Sequence, residues 1–429
     1  MKEHAKIVKL VTLSPRENYG SCLQSYALHE TLCKMGYNVE FIYNEDGGSR
    51  LWAKILKRVL PQSVVSTLKE ARNYPPPSLT NINNNINTRP NNDSNPPRII
   101  ETTNHPILKF ISILPGFKYF YKWYKRGNTL RSRKIYKFAY EDGNYNLRRI
   151  WTKGDLRRIA SEADVFITGS DQIWNYFAIG FIPLWYLEIP EAKKRVAYSS
   201  SLSQSYIHPA VKDRVKEDLS KFSHIGVREQ KTVELLNDLL QRNDVRLVVD
   251  PVCLLSAEEW IEFGKRAKIE FKLPEKYIFC YFANDGYKEI YEEMTQAVIN
   301  YTGIKDVIIL DFENRTQPLC GGRVYRDACP YEWIYLLNNA SYVCTNSFHC
   351  SLFSMKLKKE FVICLCGTKQ NGFNIRIYDI MSRYGIEYKI YEHDGSDEWK
   401  KKIDFSNDTR LLDAETEDCL KFLKYEIEE

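Results

Sequence analysis

IVKLVTLSPRENYGSCLQSYALHETLCKMGYNVEFIY, residues Ile7 to Tyr43, decides the fold. Ile7 to Leu13 reads as a strand and Ser14 to Gly20 as a loop. Leu23, Ala27, Leu28 and Leu32 then recur at helical spacing from about Ser21 to Lys34. Gly36 ends that helix, and Asn38 to Tyr43 forms a second strand. A strand, a helix and a strand in so short a span make a βαβ unit, which requires a parallel sheet. The pattern stops at Gly47-Gly48 and is expected to resume near Asp155. Strands follow at Val165 to Thr168, Arg195 to Tyr198, His224 to Val227 and Arg246 to Val249.

A second alternating set begins after Pro251. Its strands are Tyr277 to Phe282, Val307 to Leu310, Tyr342 to Cys344 and Phe361 to Cys364. Its helices are Tyr287 to Asn300, Tyr331 to Asn339 and Phe348 to Lys356, with Asn374 to Tyr384 and Asp413 to Ile427 closing the chain. The expected fold class is therefore α/β, two Rossmann-like domains facing a central cleft. One spans residues 1–253 and the other 254–429, with the closing helix free to pack back on the first. At 429 residues the chain is long enough for two such cores. Ligands of such sheets bind beyond the carboxyl ends of the strands.

Charge is unevenly spread. The chain carries a formal +6, yet residues 50–140 hold 17 Lys+Arg against only Glu70, Asp93 and Glu101, leaving the rest acidic. That distribution argues against a protein that wraps nucleic acid along its whole surface. Within this basic insert, residues 73–97 are too polar and proline-rich to build a core and read as a flexible linker. The stretches Leu51 to Leu60 and Ile107 to Phe138 mix aromatic and basic residues. Trp52, Tyr119 and Trp123 there fit the headgroup layer of an anionic membrane, and fit equally well packing against the domain.

The 11 cysteines form no CxxC pair and no zinc spacing, so a reducing compartment and no metal are expected. No signal peptide is read in Lys6 to Leu13, and no apolar run reaches the roughly 20 residues that span a bilayer. The expectation is a cytoplasmic protein.

Four segments concentrate chemistry at strand ends. In Asn18-Tyr-Gly-Ser-Cys-Leu-Gln24, Gly20 permits close backbone approach at a helix start, where free N–H groups favour a polar or anionic ligand. This is not a dinucleotide fingerprint. Thr168-Gly-Ser-Asp-Gln-Ile-Trp-Asn175 carries more polar side chains than a turn needs. Asp171 is placed to accept or orient a hydroxyl proton, and Trp174 offers a face of the kind that stacks on sugars. In Gly226-Val-Arg-Glu-Gln230, Arg228 suits a phosphate or carboxylate, or a partner in Glu229. In Cys344-Thr-Asn-Ser-Phe-His-Cys350, Asn346 and Ser347 suit a helix cap, and His349 sits in the first turn.

Taken together these segments resemble the polysaccharide pyruvyl transferase family. The resemblance runs through NYGSCLQSYAL, GSDQIWN, GVREQ, VVDPVCLL, TNSFHCSLFS and NIRIYDIMSRYGI, and leaves out the 50–140 insert. It implies a GT-B-like fold and transfer of the enolpyruvyl group of phosphoenolpyruvate to a sugar, commonly as a ketal across two hydroxyls, with no cofactor. Carried over by position, Arg228 and His349 meet the donor, with Asn346, Ser347 and Phe348 beside them. His349 is then the general acid, and Asp171 the base or hydroxyl orienter. Asn18, Gln24, Ser170, Gln172, Trp174 and Asn175 are expected on the acceptor side. Many members place an arginine where this chain has Ser347, so Arg376 or Arg323 must supply that cation. A lipid-linked acceptor would give the basic insert a purpose at the inner face of the membrane. Two other readings stay open on the residues alone: a GT-B glycosyltransferase using a nucleotide sugar, and a non-catalytic basic scaffold or nucleic-acid binder.

Overall fold

Strand β1 (Ile7–Val11) is apolar enough to be buried along nearly its whole length, and it has a parallel neighbour on each side. These are β2 (Asn38–Tyr43) and β4 (Val165–Thr168). Between β1 and β2 runs α1 (Tyr19–Lys34), which Asn18 caps by accepting a hydrogen bond from the Ser21 N–H. Gly36, at φ 92°, turns the chain out of that helix into β2. The computed structural model describes residues 5–13, 18–43, 130–150, 153–176, 182–283, 288–311, 318–365, 372–407 and 410–429.

The first sheet also holds β3 (Leu147–Arg149), β5 (Arg195–Ser200), β6 (His224–Val227) and β7 (Arg246–Leu247), in the order β3-β2-β1-β4-β5-β6-β7. The second holds β8 (Ile278–Tyr281), β9 (Val307–Asp311), β10 (Arg323–Arg326), β11 (Tyr342–Thr345), β12 (Phe361–Cys364) and β13 (Ile390–Tyr391), in the order β10-β9-β8-β11-β12-β13. Every pairing is parallel. Strand order reverses between β1 and β4 in one sheet and between β8 and β11 in the other, the position where doubly wound sheets open a crevice. Two Rossmann-like units in a GT-B-like arrangement result.

Helices cover both sheets. In the first unit these are α2 (Leu130–Tyr136), α3 (Lys153–Glu162), α4 (Pro209–Leu219) and α5 (Gln230–Leu240). In the second they are α6 (Ala257–Gly264), α7 (Lys288–Thr302), α8 (Pro330–Asn338), α9 (Phe348–Lys356) and α10 (Gly372–Arg383). The last helix, α11 (Arg410–Glu428), returns to the first unit. Its Cys419 Sγ accepts from the Val249 N–H at 3.3 Å, its final carbonyls accept from Lys6 Nζ, and Phe422 lies under the Arg246 guanidinium.

The end of the basic insert follows the second of the two readings its sequence allows, packing against the domain. Residues 130–141 form α2 and a π-helical turn folded onto the second unit. The Arg131 N–H donates to Asp327 Oδ1 at 3.0 Å, Lys134 pairs with Glu332 at 3.1 Å, and Phe138 is buried among Tyr26, Phe263 and Tyr331. Phe138 therefore belongs to the core and not to a membrane-facing surface. The expected linker and the aromatics Trp52, Tyr119 and Trp123 lie outside the described residues. No helix among the described residues is long and apolar enough to cross a membrane.

Candidate active site

Four strand ends from both units deliver the charged side chains. After β4, Gly169 at φ 131° brings the chain so close to β5 that any Cβ there would overlap the Tyr198 carbonyl. Asp171 follows in the left-handed region at φ 72°. Its backbone is fixed by a hydrogen bond from the Ser201 N–H to its carbonyl at 3.0 Å. That turn aims the carboxylate at the start of α1, where Oδ2 accepts from Ser21 Oγ at 2.6 Å.

Arg228 follows β6 and is almost wholly buried, with each guanidinium nitrogen turned to a different carboxylate. Nη2 donates to Asp171 Oδ1 at 3.1 Å, Nε to Glu229 Oε1 at 3.1 Å, and Nη1 to Asp250 Oδ2 at 2.7 Å. Asp250, just beyond β7, also faces the second unit, where His349 Nε2 lies 3.4 Å from the same Oδ2. On α10, Arg376 Nη1 stands 4.0 Å from Asp171 Oδ1. The Gln172 amide, with its oxygen toward Arg376, accepts at 2.9 and 3.1 Å. The Phe348 ring lies against both cations, its centroid 4.6 Å from the Arg228 guanidinium and 5.4 Å from that of Arg376.

The electrostatics follow from burial and pairing. Burial alone would raise the Asp171 carboxyl, but Arg228, His349, Arg376 and the Ser21 hydroxyl outweigh it and hold the group well below the usual range. Asp250 is likewise lowered, burial being overcome by His349, Arg228 and the Val252 N–H. Arg228 is held fully charged: burial opposes its charge, and the three carboxylates more than offset that. Arg376 moves the other way, down to about 10, through burial and then repulsion from Arg228. A carboxylate held as low as Asp171 is a poor proton acceptor at neutral pH. It suits fixing charge or orienting a hydroxyl.

The remaining expected residues separate into two sets. Ser347 caps α9 by accepting from the Cys350 N–H, and Asn346 braces β8, accepting from the Ala283 N–H at 2.7 Å and donating to Tyr291 Oη. Asn18 is exposed at the start of α1 and Gln172 is half-buried beside Arg376. Gln24, Ser170, Trp174 and Asn175 are buried instead. The Trp174 ring stacks on Tyr186 and its Nε1 donates to the Trp185 carbonyl, so neither face is open to a sugar. Gln24 spends its amide on Thr12, Ser21, Ser25 and the Ser170 N–H. These four support the loop rather than line it. Arg323 opens β10 at the amino end of the second sheet, over Phe271, on the opposite side from His349. Of the two arginines considered as the replacement cation, Arg376 is the one at the site.

Two contributors went unread in the sequence. Asp250 follows a strand too, but an aspartate before proline in VVDPVCLL reads as a turn, and Glu229, one expected partner of Arg228, is buried with it rather than at the surface. No group of three or more potential metal ligands occurs among the described residues.

Solved structures similar to this chain include the UDP-GlcNAc 2-epimerase from Methanocaldococcus jannaschii, 11% identical over 98% of this chain and 99% of that one, with a TM-score of 0.45. The UDP-GlcNAc 2-epimerase from Neisseria meningitidis is 8% identical over 98% and 100%, at 0.45. Arabidopsis thaliana UGT89C1 is 11% identical over 99% and 95%, at 0.40. No curated protein matches in sequence. A sequence model of the family described as polysaccharide pyruvyl transferase matches residues 18–366, taking in the Asp171, Arg228, Asp250 and His349 strand ends and stopping short of Arg376. With most of its length matched, the chain belongs to the polysaccharide pyruvyl transferase family.

Proposed function

We propose that this chain transfers the enolpyruvyl group of phosphoenolpyruvate to a sugar of a surface-polysaccharide precursor, closing a pyruvate ketal across two hydroxyls. One observation carries the reading: an imidazole, two guanidiniums and two ionised carboxylates from both units meet at the strand ends of the two sheets. Phosphoenolpyruvate bears a phosphate and a carboxylate, and its site needs fixed donors. Arg228 is committed to carboxylates, so its part is to hold Asp171 and Asp250 in place. The donor's anions then fall to Arg376 and to the N–H groups at the starts of α1 and α9.

In this reading the reaction divides into proton transfers assigned to these residues. His349 gives a proton to the methylene carbon, and C2 becomes an oxocarbenium-like electrophile. One sugar hydroxyl adds there and passes its proton to the now neutral His349, the C2–O bond to phosphate breaks, and the second hydroxyl closes the ring, its proton leaving on the phosphate. The products are the ketal and inorganic phosphate. Asp171 fixes the acceptor hydroxyl and the developing positive charge rather than taking the proton, given how firmly it is held ionised.

The test is incubation of the protein with phosphoenolpyruvate and a pool of sugar acceptors, following phosphate release and the acceptor's mass. A gain of the pyruvyl mass with stoichiometric phosphate is expected. His349→Ala is expected to slow it by about 10²–10⁴, the usual contribution of a general acid. Transfer from a nucleotide sugar with no use of phosphoenolpyruvate would overturn the reading.

A further inference from the structure

The two ring nitrogens of His349 face different surroundings. Nε2 is buried and makes no hydrogen bond of regular geometry, and the charged group beside it is Asp250 Oδ2 at 3.4 Å, the oxygen that Arg228 Nη1 reaches at 2.7 Å. Nδ1 lies on the other edge, against the first turn of α1, where Gly20 leaves room that any Cβ would fill by overlapping Nδ1 and Cγ. Around the ring the charged groups are Asp250 directly, Arg228 through Asp250, and Asp171 with Arg376 beyond. We propose that Asp250 is the positioning residue for this imidazole, holding the proton on Nε2 so that His349 exchanges the reacting proton through Nδ1 on the Gly20 side.

The argument is one of geometry and chemistry. A neutral imidazole keeps its hydrogen on the nitrogen that faces an acceptor, and the partner of one nitrogen sets what the other can do. Asp250 is such an acceptor, fixed in turn by Arg228 and by the Val252 N–H at 3.1 Å, so it cannot turn away from the ring. Nδ1 remains as the nitrogen on the side of α1, the side from which the proposed donor anion is bound. Gly20 then has a specific purpose: it keeps that edge clear. This inference rests on the reading of His349 as the acid, but its test does not need the reaction.

Full-length protein labelled with 15N-histidine reports the ring proton directly, the His349 signals being those missing from His349→Ala. In its neutral form the wild-type ring is expected to show a protonated Nε2 and a bare Nδ1. In Asp250→Ala the two tautomers should mix, while Glu229→Gln, which removes a different carboxylate from Arg228, should keep the wild-type pattern. Turnover with phosphoenolpyruvate should fall by up to about 10⁴-fold in Asp250→Ala, the cost of losing an aspartate that holds a catalytic imidazole in its working tautomer, and adding His349→Ala should cost less there than in wild type. A wild-type ring protonated at Nδ1 with bare Nε2 overturns the proposal, as does an Asp250→Ala pattern identical to wild type. Should Asp250→Ala not fold, the wild-type spectrum decides alone. A ring that behaves as expected in a protein that never consumes phosphoenolpyruvate would count against the proposed reaction and leave this assignment standing.

Discussion

At Gly20 two opposing residue-scale effects meet, and their sizes decide the sign. Alanine is the better helix former by up to about 1 kcal/mol, yet here a methyl would enter the space of the His349 ring. Overpacking a filled site costs about 1–3 kcal/mol. Gly20→Ala is therefore expected to destabilise the protein, and to become neutral or stabilising once His349→Ala has removed the ring. Chemical denaturation of the two single variants and the double variant measures this. Equal costs in both backgrounds would mean that the helix start and the ring do not touch. The sequence shows Gly20 as a small residue at a helix start and His349 as one of 7 histidines. That they oppose each other is a tertiary fact between residues more than 300 positions apart, and no local pattern encodes it. Asp171, Arg228 and His349 were visible as polar residues beyond buried strands. Asp250 was not, because a lone aspartate before proline reads equally well as a turn.

Helix α10 shows how an element joins the units. One turn separates Arg376, which faces Asp171, from Asp379, whose Oδ1 accepts from the Gln230 N–H at the start of α5 at 3.3 Å. Burial pushes the Asp379 carboxyl up to about 6, Glu229 adds to the rise, and the Gln230 N–H partly offsets it. An unfolded aspartate titrates near about 3.9. The folded state thus holds the proton more tightly, and the stability this group contributes is present below about pH 4 and lost as the pH rises through 6. Asp379→Asn keeps an acceptor for Gln230 without the charge. Its Tm relative to wild type is expected to be higher at pH 7 than at pH 4.5, and a difference that is flat across this range would place the titration elsewhere. The elements also mark what the sequence left hidden. The strands missing from the sequence reading are β3, β10 and β13, all at sheet edges. None carries the fully buried run of a central strand: β10 alternates from exposed to half-buried and back, Leu147 and Arg148 of β3 are half-buried, and β13 is two residues long, so no apolar run marks them. Central strands, buried on both faces, were legible nearly to the residue.

Across the whole molecule the apolar core does not respect the division into two sheets. Val8 and Leu10 of β1, Leu23 and Leu28 of α1, Trp260 of α6, Phe279 of β8 and Trp333 of α8 belong to one continuous buried cluster. At its centre Tyr19 stacks on Trp333 with centroids 6.4 Å apart, meets Tyr281 edge-on, and donates from Oη to the Ala328 carbonyl at 2.8 Å. The seam at Asp171, Arg376 and His349 is held instead by ions. Domains joined by small polar interfaces move freely, whereas a large apolar one ties them together. Here the apolar side ties the units together, and the polar side carries the residues of the proposed site. The two units are accordingly expected to unfold in a single calorimetric transition. Trp333→Ala removes a side chain that touches both, and should lower that transition as a whole, at a cost of about 3–5 kcal/mol, without dividing it. Two separate endotherms in the wild type would show instead that each sheet carries its own stability. The shared cluster would then be an interface rather than a core, and opening of the cleft would need no rearrangement of Tyr19 and Trp333.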